Sequence, residues 1–157
     1  MRGRDVKHIP LALLNSLIDG GKGEYALDET TWQAVMELPL YDGLDGAERA
    51  RLRELAKQLL ADKAFTGAGG IAVDDSMATA IAAFAVLPVM NIGYDWYKGW
   101  REIVVYPGEY VYDGEQMDEI GVVHHVRDVR SGEAMLGGPM VLSWEDVEHS
   151  GQSEGYN

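Results

Sequence analysis

The sequence predicts an α+β fold in which helices come first and a small, mostly antiparallel sheet follows. Capped segments with apolar residues at helical spacing occupy the first half. From Ile92 onward, β-branched and aromatic residues appear between Gly and Pro breaks. The chain of 157 residues is long enough to bury a core. We expect a helical region over residues 1–70 and a sheet-containing region over residues 71–157.

The chain begins with MRGRDVKHIPLALLNSLIDGG, where basic residues precede an apolar stretch. This order also occurs in secretory signal peptides, but a proline and several polar residues interrupt the stretch and no small-residue cleavage site follows. We therefore expect a short amphipathic helix and a cytoplasmic protein. The absence of cysteine from the sequence fits a reducing compartment, and it excludes disulfides, thiolate zinc sites and cysteine nucleophiles.

Two further helices are predicted in the first half. Asp28 is placed to cap a helix that runs through Glu37. The stretch LDGAERARLRELAKQLLADKAF is the clearest helix, with Asp45 and Glu48 in the pattern of a capping box. Its apolar face is formed by Leu52, Leu55, Leu59 and Leu60. Its basic residues are expected on a solvated surface, and they are Arg49, Arg51, Arg53 and Lys57.

A glycine-rich turn separates this helix from the next. The glycines lack the Gly-Lys-Ser/Thr that completes a phosphate loop, so we interpret them as a tight turn before a short strand at Ile71–Val73. Asp74 or Asp75 then caps an Ala-rich helix that is expected to be buried between other elements. In the second half, strands are predicted at Ile103–Tyr106, Glu109–Tyr112, Val122–Val129 and Met140–Ser143.

Charge and residue content exclude several functions. The net charge of −13 repels nucleic acid phosphates, so no direct nucleic acid binding is expected. No apolar run approaches the roughly 20 residues of a membrane span. His124 and His125 are adjacent in a predicted strand, where successive side chains point to opposite faces, so they do not form a chelating pair. The acidic cluster Asp113, Glu115, Asp118 and Glu119 is interpreted as a solvated turn. The residues present contain no assembled catalytic constellation.

Several longer stretches together resemble the Mlc titration factor family of bacterial zinc peptidases. The stretches are LPLYDGLDGAERARLRELAKQLLADKAFTGAGGIAVDDSM, WYKGWREIVVYPGEYV and DEIGVVHHVRDVRSGEAMLGGPMVLSWEDV. The resemblance extends from Trp32 to Asn157. Its most specific pieces are Tyr106-Pro107, Gly132-Glu133, Gly138-Pro139 and Leu142-Ser143-Trp144-Glu145-Asp146.

The resemblance implies the front part of a zincin-like metallopeptidase fold, with residues 71–157 as the first part of its catalytic domain. In this family, a Gly-x-Asn ending leads into a helix with the zinc-binding pattern His-Glu-x-x-His, and Gly155-Tyr156-Asn157 matches that ending. The resemblance thus implies zinc and aminopeptidase-type hydrolysis of peptides in the complete protein. It implies no bound zinc and no catalytic residues within these 157 residues. By themselves these residues are expected to be inactive.

Two functional hypotheses follow from the resemblance. In the first, the segment flanks the cleft of a peptidase, and Gly137, Gly138, Pro139 and Met140 are candidates for the rim that an extended substrate meets, because glycine permits close backbone approach. A plain turn before a strand is the alternative interpretation of these four residues. In the second hypothesis, the chain is a non-catalytic binding module that sequesters a transcriptional repressor of sugar-uptake genes.

A third expectation concerns self-association. If the chain is part of a larger catalytic domain, apolar surface is expected to remain uncovered on the Ala-rich helix Asp75–Leu87 and on the strand Met140–Ser143. Exposed apolar surface of more than a few hundred square ångströms usually finds a partner. We therefore expect self-association through these two elements.

Overall fold

The computed structural model describes residues 26–117, 120–134 and 137–150. Helices dominate the first part of the described chain and strands the second, which confirms the α+β class. The α-helices of the described residues are α1 (Glu29–Met36), α2 (Gly46–Asp62), α3 (Asp75–Val86) and α4 (Trp144–Ser150). The strands are β1 (Ala64–Gly67), β2 (Glu102–Tyr106), β3 (Tyr110–Met117), β4 (Val123–Arg130), β5 (Gly132–Ala134) and β6 (Met140–Ser143). Short 3₁₀ helices span Pro39–Tyr41 and Tyr94–Tyr97.

The strands form two sheets. Four strands pair in the order β1-β2-β6-β5, and β3 and β4 form a separate antiparallel ribbon. In the four-stranded sheet, β1–β2 and β2–β6 are parallel and only β5–β6 is antiparallel. The expectation of a mostly antiparallel sheet is therefore wrong for this sheet. For the pair β1–β2 the reason is that α3 lies between the two strands, and such a helical crossover returns the chain parallel to the preceding strand.

Strand β1 lies where the sequence analysis expected the end of a helix, at Ala64 and Phe65, and the start of the glycine-rich turn. Helix α2 ends at Asp62, and Ala64–Gly67 then pairs with β2, with Phe65 opposite Ile103. The predicted strand at Ile71–Val73 is wrong, since these residues form no strand. At Gly67, an added Cβ would lie 2.0 Å from the carbonyl oxygen of Ile71, so the absence of a side chain lets the chain turn back closely.

The remaining predicted elements are confirmed with small shifts at their ends. Asp28 caps α1, Asp45 and Glu48 form a capping box on α2, and Asp74 caps α3. Strand β3 is longer than predicted and includes Asp113 and Glu115, which therefore do not lie in a turn. The amphipathic helix predicted at the start of the chain lies outside the described residues, as do Asp118 and Glu119.

Helix α3 lies at the centre of the core rather than on its surface. It contacts both α1 and α2, and its buried residues are Met77, Ala78, Thr79, Ile81, Ala82, Ala83 and Val86. Strand β6 is covered as well, because Val141 and Ser143 are buried and Met140 and Leu142 are half-buried. Helices α1 and α2 pack on α3, and β2 and β5 flank β6, so most of the apolar surface expected on these two elements is covered in the described structure, while Phe84 and Leu87 of the helical stretch are half-buried.

One basic residue of α2 is not solvated as predicted. Arg49 donates hydrogen bonds from its guanidinium to the carbonyl oxygens of Leu44 (3.1 Å), Met36 (3.2 Å) and Tyr41 (2.7 Å). Met36 ends α1 and Tyr41 ends the first 3₁₀ helix, so one side chain satisfies backbone acceptors from three consecutive segments. Arg49 therefore ties α1 to α2.

Candidate functional site

The four candidate rim residues lie where the chain turns from β5 into β6. Gly137 is exposed, has φ +70° and has no heavy atom within 4 Å of an added Cβ, so it borders open space. Gly138, Pro139 and Met140 are half-buried. Met140 begins β6, where its backbone lies between Ile103 of β2 and Ala134 of β5. The first three residues thus form a turn, and the fourth lies in a strand paired on both sides.

Strand β5 is an edge of the four-stranded sheet. Among the described strands it pairs with β6 alone, and Ser143 N–H donates to the carbonyl oxygen of Ser131 at 2.8 Å just before β5 begins. Antiparallel pairing alternates, so Ser131 and Glu133 direct their backbone groups toward β6. Gly132 and Ala134 consequently direct theirs away from β6. The edge of β5 therefore presents backbone donors and acceptors on which an extended chain could add as a further strand.

A charged cluster of Arg130, Glu133 and Tyr110 lies beside this edge. Glu133 of β5 forms an ion pair with Arg130 of β4 at 2.5 Å, and both side chains are largely buried. The hydroxyl of Tyr110 and Oε2 of Glu133 are buried and have no hydrogen-bond partner in the described structure. Burial raises the pKa of Tyr110, the Glu133 carboxylate raises it further, and Arg130 opposes this rise. Tyr106 stacks on Tyr110 with ring centroids 4.7 Å apart.

The sequence analysis missed this cluster. It singled out Glu133 only as part of a Gly-Glu pair and gave no role to Arg130 or Tyr110. The three residues are separated by up to 23 positions and meet only because β3, β4 and β5 follow one another. The available signal was the i,i+3 spacing of Arg130 and Glu133 across a Ser-Gly turn, which is compatible with an ion pair. With no nucleophile–base pair among them, these residues are suited to binding and support rather than to bond cleavage.

A second group of the family-like residues meets at the other end of β6. Ser143 Oγ accepts a hydrogen bond from Asp146 N–H at 3.3 Å at the start of α4, and Glu145 N–H donates to the carbonyl oxygen of Pro107 at 3.2 Å. Gly69, with φ +63°, lies so close to Pro107 that an added Cβ would be 3.0 Å from its ring. These contacts explain the pattern Ser143-Trp144-Glu145-Asp146 at the end of β6. Ser143 caps the start of α4, and the hydrogen bond to Pro107 joins this start to the residue after β2.

The described residues offer no metal-binding cluster. Across 26–117, 120–134 and 137–150, no three His, Cys, Asp or Glu side chains are grouped to hold an ion. His124 and His125 oppose Gln116 and Glu115, respectively, in the ribbon, and His149 is exposed on α4. The donor set present in these ranges therefore does not fit a zinc site. No helix among the described residues is long and apolar enough to cross a membrane.

Comparison with known proteins identifies the family. Residues 22–157 match the model of the glucose-regulated metallo-peptidase M90 family. The chain is 34% identical over 132 residues to Mlc titration factor A of Cronobacter sakazakii, which covers 84% of this chain and 50% of that protein. It is 36% identical over 126 residues to the protein of the same name from Escherichia coli, covering 80% of this chain and 48% of the relative.

A similar protein from Salmonella arizonae, also named Mlc titration factor A, is 35% identical over 126 residues, which cover 80% of this chain and 50% of that protein. The chain thus spans about half the length of the curated relatives it matches. The family model covers well over half of the chain, and the resemblance inferred from the sequence is confirmed. The chain belongs to the glucose-regulated metallo-peptidase M90 family.

Proposed function

We propose that this chain provides a substrate-binding wall of a peptide-hydrolysing metalloenzyme. The observation that carries the proposal is the edge of β5, where the backbone groups of Gly132 and Ala134 are directed away from β6. An extended peptide that adds to this edge gains backbone hydrogen bonds without requiring a particular side-chain sequence. Such a mode of binding suits an enzyme that must accept peptides of many sequences.

The turn after β5 forms the rim of this proposed groove. Gly137, Gly138 and Pro139 leave space beside the substrate, because glycine carries no side chain and Pro139 is half-buried. Met140 contributes through its side chain alone, since its backbone lies between two strands. The ion pair of Arg130 and Glu133 links β5 to the end of β4.

In the complete protein we propose a zinc ion and aminopeptidase-type hydrolysis of a peptide. Zinc would polarise the scissile carbonyl and lower the pKa of bound water. The described residues do not fit the metal, so their proposed role is to bind and orient the substrate backbone. We place the protein in the cytoplasm, which the absence of cysteine from the sequence supports.

Peptide binding to the chain itself tests the proposed groove. The probe is a fluorescein-labelled hexapeptide of alanine and valine, followed by fluorescence polarisation. Ala134→Pro removes an outward N–H without removing a β5–β6 hydrogen bond, whereas Ala134→Val keeps the N–H and serves as the matched control. We expect a dissociation constant of about 1 mM or lower, at least tenfold weaker for A134P and unchanged for A134V. Equal affinity of the two variants would contradict binding at this edge.

A second candidate function is sequestration of a transcriptional repressor that controls sugar uptake. Two observations favour it: the relatives bear the name Mlc titration factor A, and this chain carries a net charge of −13. An acidic surface attracts a basic DNA-binding protein without binding DNA itself. Titration of the purified repressor with the chain, at about 50 and 500 mM salt, is expected to show salt-sensitive binding. Binding that is absent at both salt concentrations would exclude this function for the present residues.

A further inference from the structure

One face of the β3–β4 ribbon exposes a row of valines. Val111 and Val129 oppose each other in register and are 54% and 59% exposed, and Val123, farther along β4 on the same face, is 50% exposed. The connection between the strands adds exposed apolar residues, Ile120 and Val122. The opposite face is the packed one at this end, since Tyr110 stacks on Tyr106. The valine face, defined by Val111, Val123 and Val129, therefore points away from the protein.

Charges of opposite sign lie between the valines on this face. Asp113 of β3 opposes Arg127 of β4, and both are exposed. This pair lies two residues along each strand from the pair Val111 and Val129, so its side chains lie on the same face. Along β4 this face presents, in chain order, Val123, His125, Arg127 and Val129. The acid is on one strand and the guanidinium is on the other.

We propose that the valine face binds the valine face of a second copy of this chain, with the two-fold axis parallel to the strands. This axis places β3 of one copy over β4 of the other at the same level. Val111 then meets Val129 of the second copy, and Asp113 meets Arg127 of the second copy. The four charges at this level alternate in sign around a square, so every nearest neighbour is opposite.

The other two-fold axis that stacks these faces is perpendicular to the strands, and it places β3 over β3. That strand carries Asp113 on this face and no basic residue in its sequence, so Asp113 would lie over the same acidic strand of the second copy. The distribution of charge across the ribbon therefore selects one arrangement of the two copies. This surface lies apart from α3 and β6, on which self-association was expected and which are mostly buried.

The area available predicts a weak dimer. Eight residues at about 3.4 Å each make the ribbon about 27 Å long. A two-stranded face of this length buries on the order of 1,000 Å² in total, at the lower end of specific interfaces. The net charge of −13 per chain opposes association, but at physiological salt it is screened beyond about 8 Å. We therefore expect a weak dimer, with a dissociation constant on the order of micromolar or higher.

Sedimentation velocity at about 10–500 μM chain and about 150 mM salt measures this dimer, and two charge variants test its geometry. D113R carries two cations at the central level, and R127D carries two anions. Each variant alone is expected to be monomeric, and their equimolar mixture is expected to dimerise. An effect confined to the cross-strand pair within one ribbon would not be rescued by mixing, because each variant keeps like charges within its own ribbon. Glu37→Arg, at the exposed residue that follows α1, changes the net charge by the same amount and sign as D113R and is expected to leave the dimer intact.

Three results would overturn the proposal. The first is a monomer at every concentration of the unsubstituted chain. The second is a dimer that D113R leaves intact, or a mixture of the two variants that stays monomeric. The third is a monomer in which the β3 and β4 amides beside the valines are protected from hydrogen exchange and lose this protection when residues 1–25 are removed. That result would assign the valine face to residues 1–25 of the same chain.

Discussion

Replacement of Lys63 by methionine tests the most concentrated polar contact in the core. Lys63 is 5% exposed, and its ammonium donates to the carbonyl oxygens of Tyr97 and of Trp100, the latter at 2.5 Å. It also lies 2.8 Å from Oδ2 of Asp62 and 4.3 Å from the centroid of the Trp100 ring. One charge thus joins the end of α2 to the segment that follows the second 3₁₀ helix.

Methionine keeps the apolar stem of Lys63 and removes the charge, so the loss is mainly that of the polar contacts. A hydrogen bond from a charged donor contributes about 1.5–3 kcal/mol, and here two carbonyl acceptors lose that donor. We expect Lys63→Met to lower the free energy of unfolding by about 3–4 kcal/mol, within the range for breaking a buried charged contact. For a chain of this size, the melting temperature should fall by about 10 °C.

Urea unfolding followed by tryptophan fluorescence measures this loss, because Trp96 and Trp100 lie in the segment that Lys63 holds. The matched control is Lys98→Met, which removes the ammonium of a side chain that is 66% exposed and forms an ion pair with exposed Asp95. The control is expected to change stability by less than about 0.5 kcal/mol. If Lys63→Met changed stability by less than about 1 kcal/mol, or no more than the control did, the assigned role of the ammonium would be refuted.

Two further predictions concern Gly67 and Asp62. Gly67→Ala places a Cβ 2.0 Å from the carbonyl oxygen of Ile71 and should cost about 2–3 kcal/mol in urea unfolding, whereas Gly46→Ala, which meets nothing within 4 Å in α2, should stabilise by about 0.5 kcal/mol. Equal effects of the two would contradict the close turn. Burial acts to raise the pKa of Asp62, but the hydrogen bond from Lys63 helps to hold it below the ordinary 3.8. Asp62 therefore adds stability at neutral pH that is lost as pH falls through its folded-state pKa, and Asp62→Asn should unfold with a weaker dependence on pH below about 5.

The candidate site was only partly predictable from sequence. The turn Gly137–Pro139 could be located because glycine and proline are local signals that precede a β-branched run. The position of β5 at an edge of the described sheet could not be predicted. An edge depends on which strands are neighbours, and the order β1-β2-β6-β5 does not follow the chain. Glu133 was recognised as part of a family-like motif, while its ion pair with Arg130 required the positions of two strands.

The family, the three capped helices and the ends of β6 could all be predicted from the sequence. These features depend on residues a few positions apart, such as Asp45 and Glu48 or Asp74 and Met77, whose side chains and backbone meet within one helical turn. The family depends on long runs of residue identity rather than on any fold.

The strand directions, the place of β1 and the burial of charged groups depend on contacts between distant segments. Ala64–Gly67 has helical neighbours, and it becomes a strand because β2 supplies hydrogen-bonding partners 38 residues later, as in the pair Ala64 and Glu102. Arg49 and Lys63 look like solvated charges in sequence, yet backbone carbonyls from other segments accept their hydrogen bonds. The physical reason is that these groups are hydrogen-bonded and buried by segments that are distant in the chain. Local sequence patterns do not indicate which distant segments those are.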